Sequence, residues 1–529
     1  MTWGREVERS VVHGHPCLVY ADRPRSVGEL LVAGRRWRER ELLVQGDRRV
    51  TGAEHERAVA AAASHLRGRG IGRGDRVLLL GFNTVEWMVA FWALQSLGAV
   101  AVLGNAWWSD AEAAEAVALT EPVLAITDRR VEASTTTFAE FAGLPAAELR
   151  REPVAEDDPA VIMFSSGTTG AARGVLMSHR SVVANIHNLL VLTGRLPDEL
   201  PDGHPGTVSL LSVPLFHLAG IQTSITTLLS GGRLVFLEGR FDPGEVLRLI
   251  AAERVRVWGS IPTMVSRVLD HPDFAAFDTS SVASVPMGGA AVSPELRARV
   301  GTAFTGVKAR VSSLYGLTEA GGVLAAGSGA DITSRPGAVG KALPVVELAI
   351  RDPGPDGAGE IAARTPTMTG GYLGDADPLT DADGWIRTGD LGRLDAEGWL
   401  SVTGRSKDVI IRGGENIASA NVERALLTHP DVVEAAAVAL PDPDLGEQVG
   451  AALVLRAGAP ADIAALRAHA ARLLARHELP ARWWVHPGPL PTNPSGKVLR
   501  REIRDEWVAA GSGDRPESNT LIDTQSPET

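Results

Sequence analysis

The sequence predicts an α/β protein, with one large N-terminal unit followed by a smaller α+β unit. Three observations carry this. Short apolar runs alternate with amphipathic segments through most of the chain, the pattern of parallel sheets covered by helices. The texture changes after Gly404, where an apolar run, a Gly413–Gly414 turn and a helix open a separate α+β stretch. At 529 residues the chain also exceeds one ordinary domain.

Taken in order, Val77–Leu80, Val123–Thr127, Val161–Phe164, Val208–Val213 and Leu234–Leu237 read as strands buried on both faces. Val85–Leu97 and Pro243–Ala252 carry helical spacing between them. No Pro/Gly-rich linker interrupts residues 1–404, which are expected to form one compound unit. The second unit, 405–511, begins with an apolar run at Val409–Ile411, a Gly413–Gly414 turn and a helix over Ala420–Leu427. Strands are expected near Val432–Leu440 and Val449–Leu455. A helix capped by Asp462 follows, with Ile463, Leu466, Ala470, Leu473 and His477 on one face. A short strand at Arg482–His486 and a charged closing helix complete the unit. Residues 512–529, polar and rich in Ser, Pro and Asp, read as a disordered tail.

Composition narrows the function classes. A net charge of −12 disfavours general binding to nucleic acid or anionic membrane. The single cysteine, Cys17, rules out an internal disulfide, and no Cys/His cluster has zinc-ligand spacing. The N-terminus lacks the apolar stretch of a secretory signal. The apolar run Val89–Gly104 is short for a membrane span and is broken by Gln95 and Ser96, so a buried helix running into a strand is expected. These features predict a cytoplasmic protein acting on small molecules, without stable membrane insertion, its oligomeric state open between monomer and homodimer.

The most informative segment follows Val161–Phe164: Ser165-Ser166-Gly167-Thr168-Thr169-Gly170-Ala171-Ala172-Arg173-Gly174. Glycines let backbone N–H groups approach an anion, hydroxyls add donors, and Arg173 adds charge. The loop lacks the GK[ST] ending of a P-loop. By itself such a turn is equally a flexible connection.

Further motifs follow in order: PLFHLAG at 214–220, GGA at 288–290, YGLTE at 315–319, RTGDL at 387–391, GRSKDVIIRGGENI at 404–417 and PTNPSGKVLR at 491–500. Together with the loop they resemble the adenylate-forming superfamily of acyl-CoA synthetases, luciferases and peptide-synthetase adenylation domains. The resemblance implies a large adenylation domain with a smaller β-barrel-like portion and a mobile C-terminal lid. It implies ATP and Mg2+ as requirements, and activation of a carboxylic acid as an acyl-adenylate.

The resemblance also assigns residues. Ser165, Ser166, Gly167, Thr168, Thr169 and Arg173 would cradle the phosphates, and Thr168 and Glu319 would hold Mg2+. Gly289, Ala290, Leu314, Tyr315, Gly316 and Thr318 would surround the adenosine, with Tyr315 stacked on adenine. Asp390 would accept from the ribose hydroxyls, Arg405 would contact the sugar or its phosphate, and Lys497 would bridge carboxylate and α-phosphate. His217 would gate the acyl carboxylate, while Gln222, Trp258, Gly288, Gly289 and Val323 would line the acyl pocket. Trp258 reads equally as a core residue.

The GGENI hairpin resembles acyl-CoA synthetases most, which implies a hinge at Lys407, a CoA tunnel at Gly413 and Gly414, and CoA as co-substrate. The short stretch between Glu319 and Asp390 leaves little room for the insertion of fatty acyl-AMP ligases. The reading is an ATP-dependent acid–CoA ligase for a hydrophobic acid: fatty, aryl or polycyclic. The alternatives are an enzyme that stops at acyl-AMP or loads a carrier-protein thiol, and an inactive nucleotide-binding homologue. Four positions depart from the pattern: the usual Pro-Lys-Gly reads Ala172-Arg173-Gly174, and Ser419 and Asn421 stand where Pro and Glu are frequent.

Overall fold

The computed structural model describes residues 2–165, 173–289, 292, 294–307, 311–335, 337–355, 357–375, 379–405, 408–413, 415–456, 458–493, 497–511 and 521–523. Ser166, Gly167, Thr168, Thr169, Ala290, Lys407 and Gly414, all singled out by the sequence, lie outside these residues.

Two sheets of mainly parallel strands form the first part. One runs Arg173–Ser178, Pro159–Ser165, Val100–Gly104, Arg76–Leu80, Leu124–Thr127, Thr135–Thr136. The other runs Val257–Gly259, Val208–Leu211, Arg233–Phe236, Glu41–Gln45, Arg48–Thr51. The expected parallel pattern holds for their central strands. Pro159–Ser165 and Arg173–Ser178 pair antiparallel, with Ser165 opposite Arg173. The phosphate-loop candidate therefore joins the two arms of a hairpin at a sheet edge, where the sequence suggested only a strand running into a loop.

Val85–Leu97 has apolar residues around its whole circumference, so it is stable only when covered on all sides. Every residue from Trp87 to Leu97 is buried. Thr84 caps its N-terminus by accepting from the Trp87 N–H, and Gly98 ends it at φ +66°. Among the described residues no helix is long and apolar enough to cross a membrane.

The third sheet has eight strands: Val285–Met287, Val311–Leu317, Gly322–Ser328, Ala338–Ala342, Trp399–Arg405, Ile386–Leu394, Gly359–Arg364, Glu347–Arg351. All but the first pair are antiparallel. The C-terminal part forms its own sheet around Gly446–Leu455, flanked by the helices Ser419–Leu427, Ile463–Ala470 and Arg500–Gly511. Its apolar clusters draw only on residues from Ile410 to Trp507.

Two sequence expectations change here. Asp462 does cap the helix that follows, but that helix ends at Ala470, leaving Leu473 54% exposed and His477 in a short 3-10 turn. Leu474 enters the core instead, because the chain turns and the helical period no longer applies. In the expected tail, Leu521–Asp523 pair antiparallel to Arg482–Trp484, so these three residues are not free chain.

A strap over residues 365–373 ties the first sheet to the third. Its main chain bonds to the strand Arg173–Ser178 through Leu373 N–H to Gly174 O (2.7 Å), Leu176 N–H to Gly371 O (3.2 Å) and Gly370 N–H to Leu176 O (3.1 Å). Its threonines donate to the opposite turn, Thr367 Oγ1 to Ala320 O (2.6 Å) and Thr369 Oγ1 to Glu319 O (3.1 Å). Gly321 sits beneath at φ +68°, where a Cβ would lie 1.7 Å from Thr367 O. Gly321→Ala therefore has to displace the strap, and a loss of about 3 kcal/mol is expected in denaturant unfolding. An unchanged midpoint and slope would contradict this close approach.

Candidate active site

The strand Val311–Leu317 bulges between Tyr315 and Gly316 where it pairs with Gly322–Ser328. A Cβ on Gly316 would lie 2.2 Å from Gly322 O, so only glycine permits the approach. Tyr315 is buried and donates its phenolic O–H to Asp390 Oδ2 at 2.9 Å. Burial and the neighbouring carboxylate push its ionisation well above the usual tyrosine range. It is therefore a donor at every working pH.

Asp390 lies on Ile386–Leu394 directly across from Arg405. Arg405 Nε donates to Asp390 Oδ1 at 2.8 Å, and the Asp390 N–H donates to Thr388 Oγ1 at 3.2 Å. The carboxylate is only 5% exposed, and its two partners make that burial tolerable.

Lys497 stands at the end of a tight hairpin. Its N–H donates to Asn493 Oδ1 (2.8 Å), the Asn493 N–H returns to Lys497 O (2.9 Å), and Thr492 bridges Val498. Its ammonium is pushed down to about 8, first by burial and then by Arg405 and Arg500, while Asp408 and Asp390 pull the other way. Its electrostatic surroundings thus join the lid to the Asp390 cluster. Arg500 anchors the same hairpin, donating to Glu423 (2.8 and 2.7 Å) and to Asp408 (3.1 Å) just past the expected hinge.

A second cluster surrounds Glu319. Tyr372 O–H donates to Glu319 Oε1 at 3.0 Å, and the Arg173 guanidinium lies 5.0 Å from the Tyr372 ring centroid. Thr318 O accepts from the Gly321 N–H at 2.9 Å, closing the turn that presents Glu319. The donor chemistry fits a hard divalent cation: a partly exposed carboxylate with one oxygen bonded to Tyr372, whose ring also meets Arg173.

The acyl-pocket candidates are dispersed. His217 is the N-cap residue of Leu218–Leu229, with its ring tilted against Phe216 at 4.7 Å and its buried Nε2 without a partner among the described residues. Burial lowers its ionisation to about 4, so the imidazole is neutral. Gln222 is buried on the same helix, and its Nε2 also lacks a partner among the described residues. Trp258 is fully buried in the second apolar core and spends its N–H on Ser212 Oγ at 2.9 Å, so that polar atom is not offered to a ligand. Gly289 is at φ +77°; a Cβ on Gly288 would lie 3.3 Å from Leu314 O, which brings the GGA segment against the Tyr315 strand. Val323 is buried behind that strand, its N–H donating to Asn185 Oδ1 at 3.2 Å. Gly413 turns at φ +57° between Val409–Arg412 and Glu415–Ala418.

Sequence reasoning missed Tyr372, Thr369 and Thr388. The available signal was scarcity: the chain has three tyrosines, and two of them stand here.

Known proteins resemble this chain along most of its length. The AMP-binding enzyme model matches residues 31–373, and the AMP-binding enzyme C-terminal domain model matches 421–497. A feruloyl-CoA synthase of Amycolatopsis is 34% identical over 484 residues, covering 87% of this chain and 94% of the relative. A long-chain-fatty-acid–CoA ligase of Mycobacterium tuberculosis is 31% identical over 493 residues, covering 88% and 94%. Among solved structures, the o-succinylbenzoate CoA synthetase of Bacillus subtilis in complex with its acyl-adenylate has a TM-score of 0.78 at 29% identity, covering 90% of this chain and 97% of that one. ATP-bound MatB of Rhodopseudomonas palustris has a TM-score of 0.80 at 26% identity, with 90% and 99% covered. With both domain models matched in order, and relatives aligned over nearly their whole length, the chain belongs to the AMP-binding enzyme family.

Proposed function

We propose that the chain is an AMP-forming acid–CoA ligase whose first half-reaction is run by the Tyr315–Asp390–Arg405–Lys497 cluster. The observation that carries the reading is the buried Asp390 carboxylate, bonded by Tyr315 of the YGLTE motif and by Arg405 at the start of the second domain. The domains are read as 1–404 and 405–511, with the hinge at 407.

The first step joins two anions, so charge must be neutralised where they meet. Asp390 takes the ribose hydroxyls on the carboxylate face that Tyr315 and Arg405 leave open, and Tyr315 supplies a flat surface for adenine. The Lys497 ammonium lies between the acyl carboxylate and the α-phosphate. The carboxylate oxygen attacks phosphorus and pyrophosphate leaves, giving acyl-AMP. A bound divalent cation would neutralise the phosphates, held by Glu319 and Thr168. In the second step the CoA sulfur attacks the acyl carbon and AMP leaves, after the lid turns Gly413 and Gly414 towards the site. Neutral His217 and the unpartnered Gln222 amide border the acyl group, which is read as a hydrophobic acid of the fatty or aryl class. The reading keeps the enzyme cytoplasmic.

The ammonium form of Lys497 is the active one, so its contribution is complete below its ionisation near 8 and fades as pH rises through that value. The kcat/KM for acid-dependent pyrophosphate exchange should bend downward near pH 8. In Lys497→Arg the bend should vanish up to about pH 10, since arginine stays charged. The same bend in both proteins would assign it to another group. Lys497→Ala should lower exchange about a thousandfold while sparing CoA transfer from preformed acyl-AMP. Equal losses in the two half-reactions would remove Lys497 from its role.

A further inference from the structure

The strap at 365–373 fixes the main chain of Glu319 through Thr369, which leaves only the glutamate side chain free to move. Tyr372, three residues further on, removes that freedom by donating to Oε1 at 3.0 Å. The same ring lies against the Arg173 guanidinium at 5.0 Å, and its own main chain is bridged to Val175. One side chain thus touches both charged groups that the phosphate site needs, one of each sign.

We propose that Tyr372 is a positioning residue of the first half-reaction: it orients the Glu319 carboxylate for the divalent cation of metal–ATP and gives Arg173 a platform for reaching the phosphates. The proposal rests on the roles given above to Glu319 and Arg173. Holding Oε1 turns the carboxylate so that its other oxygen is presented in one direction. An outer hydrogen bond of this kind sets the geometry and affinity of a carboxylate ligand.

The stack also accounts for the arginine in the loop. A planar guanidinium lies flat on an aromatic face, whereas an ammonium on a flexible stem is a point charge that the ring does not orient. Arg173 opens the strand Arg173–Ser178, where its main chain is paired with Ser165 and its side chain is steadied by Tyr372. A solely structural tyrosine would support the strap and have no selective effect on metal-bound nucleotide.

The test uses the full chain, with Mn2+–ATP and metal-free ATP in EDTA as probes, and calorimetric dissociation constants measured without acid. Tyr372→Phe keeps the ring and removes the donor. It should weaken Mn2+–ATP about tenfold, leave metal-free ATP at its wild-type affinity and retain the wild-type thermal midpoint. Arg173→Lys should weaken metal-free ATP instead, because the platform no longer holds the cation. A folded Tyr372→Phe protein with wild-type Mn2+–ATP affinity overturns the proposal, as does equal weakening of both nucleotide forms. Wild-type affinity for metal-free ATP in Arg173→Lys overturns the platform. A wild-type chain that binds no Mn2+–ATP would overturn the functional reading as well, which separates the two failures.

Discussion

A single buried carboxylate organises the site. Asp390 is 5% exposed, and an ionised carboxylate at that depth is tolerable only when hydrogen-bonded and paired. Its partners come from different places. Tyr315 reaches it from the bulged strand of the YGLTE motif, and Arg405 from the last residues before the expected hinge. Satisfying one charge therefore fixes the strands Val311–Leu317, Ile386–Leu394 and Trp399–Arg405 in one geometry. The glycines serve the same end: Gly316 permits the bulge that brings Tyr315 to Asp390.

The lid is held more lightly. Among the described residues, two ion pairs cross to it from the large domain, Arg267 to Glu434 at 3.4 Å and Arg456 to Asp270 at 3.6 Å. Both arginines are well exposed, and such pairs contribute only about 0–1 kcal/mol each. A half-open groove of about 370 Å3 lies between Arg424 of the lid helix and the strands carrying Arg393, Trp399 and Thr403. Inside the lid the bonds are stronger. Arg500 is clamped by Glu423 and Asp408 and holds the Lys497 hairpin to the hinge. This contrast suits a body that turns as a unit between two half-reactions.

Local signals were legible in the sequence. The all-apolar period of Val85–Leu97, its Thr84 cap and Gly98 stop, and the Asp462 cap are each encoded within a few residues, and the structure follows them. The motif positions were legible because the chemistry requires those residue types in that order. The strap was not. Thr367, Thr369 and Tyr372 act through partners some fifty residues away in sequence, and a Thr/Gly-rich stretch has no periodicity to report such bonds. The end of the helix at Ala470 was hidden for a related reason: Leu473 continues the helical period, but the first strong stop signal is Pro480.

Three of the departures from the family pattern have a local answer in the fold. Ser419 Oγ donates to Asp408 O at 2.7 Å, closing the start of its helix onto the hinge without a proline. Asn421 Nδ2 donates to Glu478 Oε1 at 2.8 Å, so a neutral amide meets a carboxylate where a second carboxylate would be repelled. Arg173 lies on Tyr372, whose phenol faces Glu319. In each case the unusual residue is matched to a neighbour rather than merely tolerated. An arginine without an aromatic face would carry the charge but not its direction, and phosphate chemistry needs both. The exchange at 173 is therefore better understood together with Tyr372, as a pair, than as a lysine that has been lost.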